Sequence, residues 1–261
     1  MPALAEIEPR YRLVRFDEID STNIEAKRRA EAGEPEFTVI LAAAQSAGRG
    51  RRGRAWASPR GNLYSSVILR PKCTPIVGAQ ISFVAALAVF DVAKAFVARS
   101  ASVLCKWPND VLVNGRKVAG ILPESSASGT VLDWLVLGVG INLAHHPGLK
   151  GPHPSTSLRD EGTTDLGVEA AAARYLTALA GWYDRWRQEG FEAVRAAWLA
   201  RSFGLSSPVT VRLEQEPLEG RFAGLDPSGA LLLDLASGGR RVIAAGEVFF
   251  GEGSKLDAPR D

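Results

Sequence analysis

The densest chemistry in the chain lies in AAAQSAGRGRRGRAWASPRGN, Ala42 to Asn62, where Arg49, Arg51, Arg52 and Arg54 stand among Gly48, Gly50 and Gly53. Guanidinium groups on a glycine-rich backbone suit phosphate, whether of a nucleic acid, a dinucleotide or a nucleoside triphosphate. Two phosphate-binding templates can be tested letter by letter. Gly48 to Gly53 satisfies G-x-G-x-x-G after the strand-like run Phe37–Ala43, yet Pro59 and Gly61 follow where that template needs a helix. The frame G-x-x-x-x-G-K-S/T nearly fits from Gly48, but Arg54 replaces its lysine and Ala55 its hydroxyl. Both templates fail. What remains is a glycine–arginine loop ending at Trp56. Its glycines make a fixed conformation entropically costly and its arginines repel one another, so it is expected to be disordered until an anion binds.

Other polar groups cluster at strand ends and turns: Ser21-Thr22-Asn23, Gln45, Lys106-Trp-Pro-Asn-Asp110, Lys117 and Asn142. Read alone, Ser21-Thr22-Asn23 is a helix start, with Thr22 and Glu25 at capping-box spacing. The run VLDWLVLGVGINL alternates: Leu135, Leu137, Val139 and Ile141 share one face, and Val136, Gly138, Gly140 and Asn142 the other. Two successive positions without side chains admit a ligand or another chain segment, or tight packing under a helix. No Ser-His-Asp set is present. The three histidines, His145, His146 and His153, crowd one loop without the spacing of a metal site. Positive charge beside neutral hydrogen-bonding groups suits a reaction that joins an anionic small molecule to a nucleotide phosphate.

The elements that must position these groups follow from periodicity and turn residues. Tyr11–Phe16 is predicted as a strand and Asp20–Gly33 as a helix leaving at Gly33. Strands follow at Phe37–Ala44 and Asn62–Arg70, then a long helix over Ile76–Arg99. Asn114-Gly115 between two apolar runs predicts a type I′ hairpin. Pro123 predicts that its strand ends early or lies at an edge. Two further helices are expected over Val168–Gln188 and Phe191–Phe203. After Leu205 short alternating strands between Pro and Gly turns predict a small β-barrel, so domains are placed at 1–204 and 205–261.

Composition narrows the class. The chain has 261 residues, 46% hydrophobic and 23% charged, with net charge +2, which opposes a dedicated nucleic-acid surface. Two cysteines, Cys73 and Cys105, fit a reduced cytoplasmic setting. The N-terminus lacks the apolar core of a signal peptide, and Ile76–Phe90, interrupted by Gln80 and Ser82, reads as a buried helix rather than a membrane span.

In order, STN, QSAGRGRRGRAW, KWPNDVLVNGRKVAGIL and GVGINL closely resemble the bacterial biotin–protein ligases, from about Tyr11 to Phe250. The resemblance implies an α+β fold: a mixed sheet with flanking helices, like class II tRNA synthetases and lipoate ligases, followed by an SH3-like barrel. It implies activation of biotin by MgATP to biotinoyl-5′-AMP, with release of pyrophosphate. Biotin then passes to one lysine of the biotin carboxyl carrier protein of acetyl-CoA carboxylase.

Carried over residue by residue, the resemblance implies that Ser21, Thr22, Asn23 and Gln45 bind the ureido ring. Gly48, Arg49, Gly50 and Arg51 fold over biotin and the adenylate phosphate, and Gly120 and Gly138 leave room for the bicyclic ring. Lys117 and Arg51 are the implied catalytic residues, Lys117 meeting both the biotin carboxylate and the α-phosphate. Arg54, Trp56, Lys106, Asn109, Asp110 and Asn142 are implied around the nucleotide, Trp56 over adenine; no dedicated metal ligands are assigned. Only about twenty residues precede Ser21, too few for a winged helix-turn-helix, so no specific DNA binding is expected. A homodimer is allowed. The rival readings are a lipoate- or octanoate-type ligase on the same fold and an RNA-binding module built on the arginine loop.

Overall fold

The computed structural model describes residues 9–148, 154–163, 167–213 and 217–250. Its larger layer is a seven-stranded sheet of order β1-β2-β3-β7-β6-β5-β4. The strands are β1 (Arg12–Ile19), β2 (Thr38–Gln45), β3 (Leu63–Leu69), β4 (Val103–Lys106), β5 (Asp110–Val113), β6 (Arg116–Ser128) and β7 (Val131–Ile141). Helix α1 (Thr22–Glu31) makes the crossover between β1 and β2, which pair in parallel; the other neighbours are antiparallel.

The period of two along the strands divides the side chains between two cores. Val39, Val67, Leu135, Leu137 and Val139 enter a large core with the helices α3 (Ile81–Phe96), α4 (Val168–Glu189) and α5 (Phe191–Leu199). On the opposite face Ile40, Ile68 and Val136 form a small cluster with Ala26 and Ala30 of α1 and with Trp134, flanked by Phe16. A ten-residue helix covers part of that face. Beyond it lie Gly138, Gly140 and Asn142, and there the cavity opens. The alternation in GVGIN thus separates a packed face from a binding face.

The predicted long helix is broken at Gln80 into α2 (Pro75–Ala79) and α3, with Gln80 still helical in its backbone angles. Together Pro75–Phe96 are apolar and long enough to cross a membrane, but 67% of the most apolar 18 residues is buried within the protein, as in a core helix. Asn114 and Gly115 both have positive φ, 50° and 76°, as the hairpin required. Strand β6 does not end at Pro123; it continues to Ser128 beside β7. Its pairing with β5 stops at Gly120, so Pro123 lies where β6 has no β5 neighbour and no donor is missed there.

The capping box is not formed. Ser21 is the N-cap without a side-chain bond, and Thr22 is already helical. Glu25 turns instead to Arg28 and Arg29. The Thr22 hydroxyl is engaged elsewhere, as described below. The C-terminal strands β8 (Pro208–Arg212), β9 (Pro217–Leu225), β10 (Leu231–Leu235), β11 (Arg240–Ile243) and β12 (Glu247–Phe250) form an antiparallel sheet of order β11-β10-β9-β8-β12. Among the described residues its edges do not pair, so the SH3-like unit is an open sheet rather than a closed barrel. It docks on the larger layer through Trp107, whose Nε1 donates to the Gly229 carbonyl at 3.1 Å.

Candidate active site

A cavity of about 560 Å³ opens over the bare face of the large sheet. Ser21, Thr22, Asn23, Gln45, Gly48, Arg49, Gly50, Arg51, Arg54, Trp56, Asn109, Asp110, Lys117, Gly120, Gly138 and Asn142 all line it. Four separate sequence motifs therefore converge. Lys106 is the exception: it is buried behind the wall and does not line the cavity.

One end is neutral and internally bonded. The Thr22 amide and hydroxyl both donate to Gln45 Oε1, at 2.8 and 3.1 Å. Gln45 Nε2 donates to Ser58 Oγ at 2.8 Å, and Ser58 Oγ to the Trp56 carbonyl at 2.9 Å. Ser66 Oγ lies 2.8 Å from Thr22 Oγ1 and 2.6 Å from Asn23 Oδ1. Ser21, Thr22, Asn23 and Ser66 are all buried. Such a network holds each side chain in one orientation. Gly138 is required by its neighbour: a Cβ there would stand 2.1 Å from Asn23 Oδ1.

The other end is charged. Lys117 Nζ sits 2.6 Å from Asp110 Oδ1 and 5.4 Å from the centre of the Trp56 ring. Arg51 Nη1 donates to Asn109 Oδ1 at 3.0 Å, and Asn109 Nδ2 to the Ile121 carbonyl at 2.8 Å. Burial lowers the Arg51 guanidinium from its ordinary pKa, with Asp110 opposing; an arginine stays charged regardless. Burial also pushes the Lys106 ammonium down to about 8, helped by Lys117 and opposed by Asp110 and Glu247. The Trp56 indole lies across paired Gly120 and Gly140, where added Cβ atoms would come within 3.0 and 2.6 Å of it. Its Nε1 is buried and has no hydrogen-bond acceptor among the described residues. The slot can thus offer a flat ring surface, an unused N–H and several cations, a set that suits a nucleotide.

In the conformation described, the arginine loop is bonded to itself and to the sheet. Gly50 N donates to Arg54 O at 2.7 Å, and Trp56 N to Gly48 O at 2.9 Å. Each of three arginines has its own partner, which offsets their mutual repulsion: Arg49 with Glu124 at 3.4 Å, Arg51 with Asn109, and Arg54 with Glu247 at 2.6 Å. Arg52 is exposed with φ of 55°.

Three further groups were not foreseen. Glu247 reaches the cavity from β12 of the C-terminal sheet, and no local pattern couples it to a loop so distant in the chain. Ser66 could have been found, because a buried strand otherwise apolar carries the pair Ser65-Ser66. Glu124 follows Pro123 in a strand read only for its termination. Of the histidines, His146 Nδ1 lies 3.0 Å from Ser155 Oγ and His153 is outside the described residues.

The model of the biotin/lipoate A/B protein ligase family matches residues 15–142, and that of the biotin protein ligase C-terminal domain matches 205–251. A biotin–acetyl-CoA-carboxylase ligase of Paracoccus denitrificans is 43% identical, covering 89% of this chain and 98% of its own. The bifunctional ligase/repressor BirA of Bacillus subtilis is 30% identical over 89% of this chain and 72% of its own. A biotin protein ligase from Aquifex aeolicus, solved in complex with biotin and ATP, superposes with a TM-score of 0.75 at 26% identity, covering 90% of this chain and 97% of that one. By its two domain matches and its similarity to the Paracoccus enzyme along nearly that enzyme's whole length, the chain belongs to the biotin protein ligases of the biotin/lipoate A/B protein ligase family.

Proposed function

We propose the following division of labour for the ATP-dependent ligation of biotin to protein, the activity of this family. Biotin and ATP are the substrates, and Mg²⁺ accompanies ATP. The observation that supports the reading best is the gradient within one cavity, from a neutral hydrogen-bonding end to a cationic one. A urea needs neutral donors and acceptors, and Ser21, Thr22, Asn23 and Gln45 offer them. Gly138 lets the Asn23 amide lie flat over β7, where it meets the bicyclic ring.

The valeryl tail then points along β7 toward Lys117 and Arg51. There a biotin carboxylate oxygen attacks the α-phosphorus of ATP, forming the C–O–P anhydride as the bond to pyrophosphate breaks. Two anions must approach, so Lys117 and Arg51, already fixed by Asp110 and Asn109, stabilise the charge that gathers on phosphorus. Trp56, Asn142, Asn109, Asp110, Arg54 and Lys106 surround the nucleotide, Lys106 from behind the wall. Gly48, Arg49 and Gly50 bring the loop over the adenylate and exclude water. In the second step the ε-amine of a carrier lysine attacks the acyl carbon, AMP leaves, and the amine loses a proton.

We place the substrate site in a catalytic domain, 1–204, and give the C-terminal domain, 205–261, the supply of Glu247. The carrier is the biotin carboxyl carrier protein of acetyl-CoA carboxylase, and the setting is cytoplasmic. Lipoate is the weaker reading: its dithiolane has no N–H, so the remaining lone pair of Asn23 Oδ1 would be buried against sulfur unused. Incubation with a carrier domain, MgATP and either biotin or lipoate tests this. Avidin-detectable modification of one carrier lysine is expected with biotin; modification by lipoate alone would overturn the assignment.

A further inference from the structure

Asn23 offers the cavity a polarity that is set from behind. Its Nδ2 donates to the Leu122 carbonyl at 3.1 Å and to Glu124 Oε2 at 2.9 Å, so both amide hydrogens are used. An amide can be turned end for end, and only its partners decide which atom lies where. Here the partner decides: Glu124 is held below the usual carboxylate range, because Asn23, Lys27 and Arg49 together outweigh the burial that would raise it. An ionised carboxylate only accepts, so the atom facing it must be nitrogen. Asn23 Oδ1 is thereby turned the other way, over Gly138, and takes one hydrogen bond from Ser66. Its second lone pair remains for a ligand.

We propose that Glu124, which does not line the cavity, is a positioning residue that fixes Asn23 as an acceptor and so makes the site demand an N–H from its ligand. This rests on the biotin reading above and deepens it. Biotin's ureido ring carries two N–H groups and one carbonyl, and Glu124 determines that Asn23 reads one of the former. The same carboxylate also holds Lys27 at 3.1 Å and Arg49 at 3.4 Å, which keeps it ionised and in place. In Glu124→Gln the facing group can donate or accept, and only the Leu122 carbonyl, a neutral acceptor at 3.1 Å, still opposes a turn of the Asn23 amide.

The test is adenylate formation by wild type and Glu124→Gln with biotin and with each of the two singly N-methylated biotins. The variant is expected to raise KM for biotin about tenfold, the worth of one buried hydrogen bond, with kcat at saturation within about twofold. One of the two methylated biotins should lose at least about tenfold with wild type and no more than about threefold with the variant. Ser66→Ala, which removes the donor on the other side of Oδ1, should give the same selectivity change in smaller measure, and serves if Glu124→Gln does not fold. An unchanged KM for biotin, or an equal rise for biotin and both methylated forms, would overturn the proposal. If wild type makes no adenylate from biotin at all, the biotin reading fails instead.

Discussion

The two ends of the cavity are built on different principles. At the neutral end Thr22, Gln45, Ser58, Ser66 and Asn23 satisfy one another, leaving a few defined lone pairs and hydrogens for a ligand. At the charged end Lys117 faces Asp110 and Arg54 faces Glu247, acids that hold cations which an incoming phosphate also attracts. The neutral end is bonded within itself before a ligand arrives, and on the proposed reading it selects by hydrogen-bond polarity as well as shape. The charged end is held in readiness by counter-charges, and its cations act most strongly when charge develops on phosphorus. Substitutions at the two ends should therefore separate binding from rate.

The largest effect is expected at the charged end. Lys117→Ala should slow adenylate formation by on the order of 10²–10³ while changing biotin affinity less than about threefold, since one preorganised donor is worth that much in such a site. Pyrophosphate exchange measures the first and calorimetry the second. A variant that lost biotin affinity but kept its turnover at saturation would make Lys117 a ground-state contact and erase the contrast.

Next come the glycines, one for each end. Gly138→Ala places a Cβ 2.1 Å from Asn23 Oδ1, and Gly140→Ala one at 2.6 Å from Trp56 Nε1. Overpacking of this kind costs about 1–3 kcal/mol. Gly138→Ala should raise KM for biotin by about ten- to a hundredfold with little change for ATP, and Gly140→Ala the reverse, since ten-fold is 1.4 kcal/mol. If both variants raised both constants alike, the two ends would not be separable.

How much of this could be read in advance follows the range of the interactions. The alternation around Gly138 and Gly140 predicted a face where something approaches closely, because a strand's period is local; what approaches is Asn23 on one glycine and Trp56 on the other. The Asn114-Gly115 hairpin was legible for the same reason. The Thr22–Glu25 capping box was misread because Gln45 and Ser66, brought near by the sheet, take the Thr22 hydroxyl. The loop's acidic partners were not legible because Glu124 and Glu247 lie far off in sequence. The grouping of polar motifs into one site rested on the family resemblance, since periodicity says which face a residue takes and nothing about which motifs meet.

A pH effect tests the charged end without changing its shape. Lys106, down at about 8 through burial, has neutral and charged forms that interchange just above neutrality. An unfolded chain's lysine titrates near ~10.4, so below about pH 8 the folded protein carries the whole cost of that buried charge. Stability should therefore rise, in Lys106's contribution, as pH climbs from about 8 to ~10.4. Activity should move oppositely, because the neutral amine attracts phosphate less. kcat/KM for ATP is expected to fall above pH about 8, approaching tenfold per unit, and Lys106→Arg should remove that fall. A flat profile to pH about 9.5 in wild type would leave Lys106 a structural residue.

The smallest effect is expected at Glu247, where the two sheets meet the loop. The Arg54 side chain is 65% exposed, so its 2.6 Å pair with Glu247 contributes no more than about 1 kcal/mol. Glu247→Gln should leave kcat at saturation within about twofold. It should nonetheless loosen the loop, because Arg54 loses the charge that offsets its neighbours. Trypsin reads this directly: Arg52 is exposed in the free protein, and cleavage between Arg49 and Arg54 should quicken by about two- to fivefold in the variant. Biotin with MgATP should protect wild type and variant equally, since the adenylate phosphate then supplies the missing anion. Biotin alone should protect both only in part, as it brings no phosphate. A tenfold loss of kcat in Glu247→Gln would show that Glu247 takes part in the chemistry rather than holding Arg54 in readiness, and the distinction between the two ends would have to extend to the C-terminal sheet.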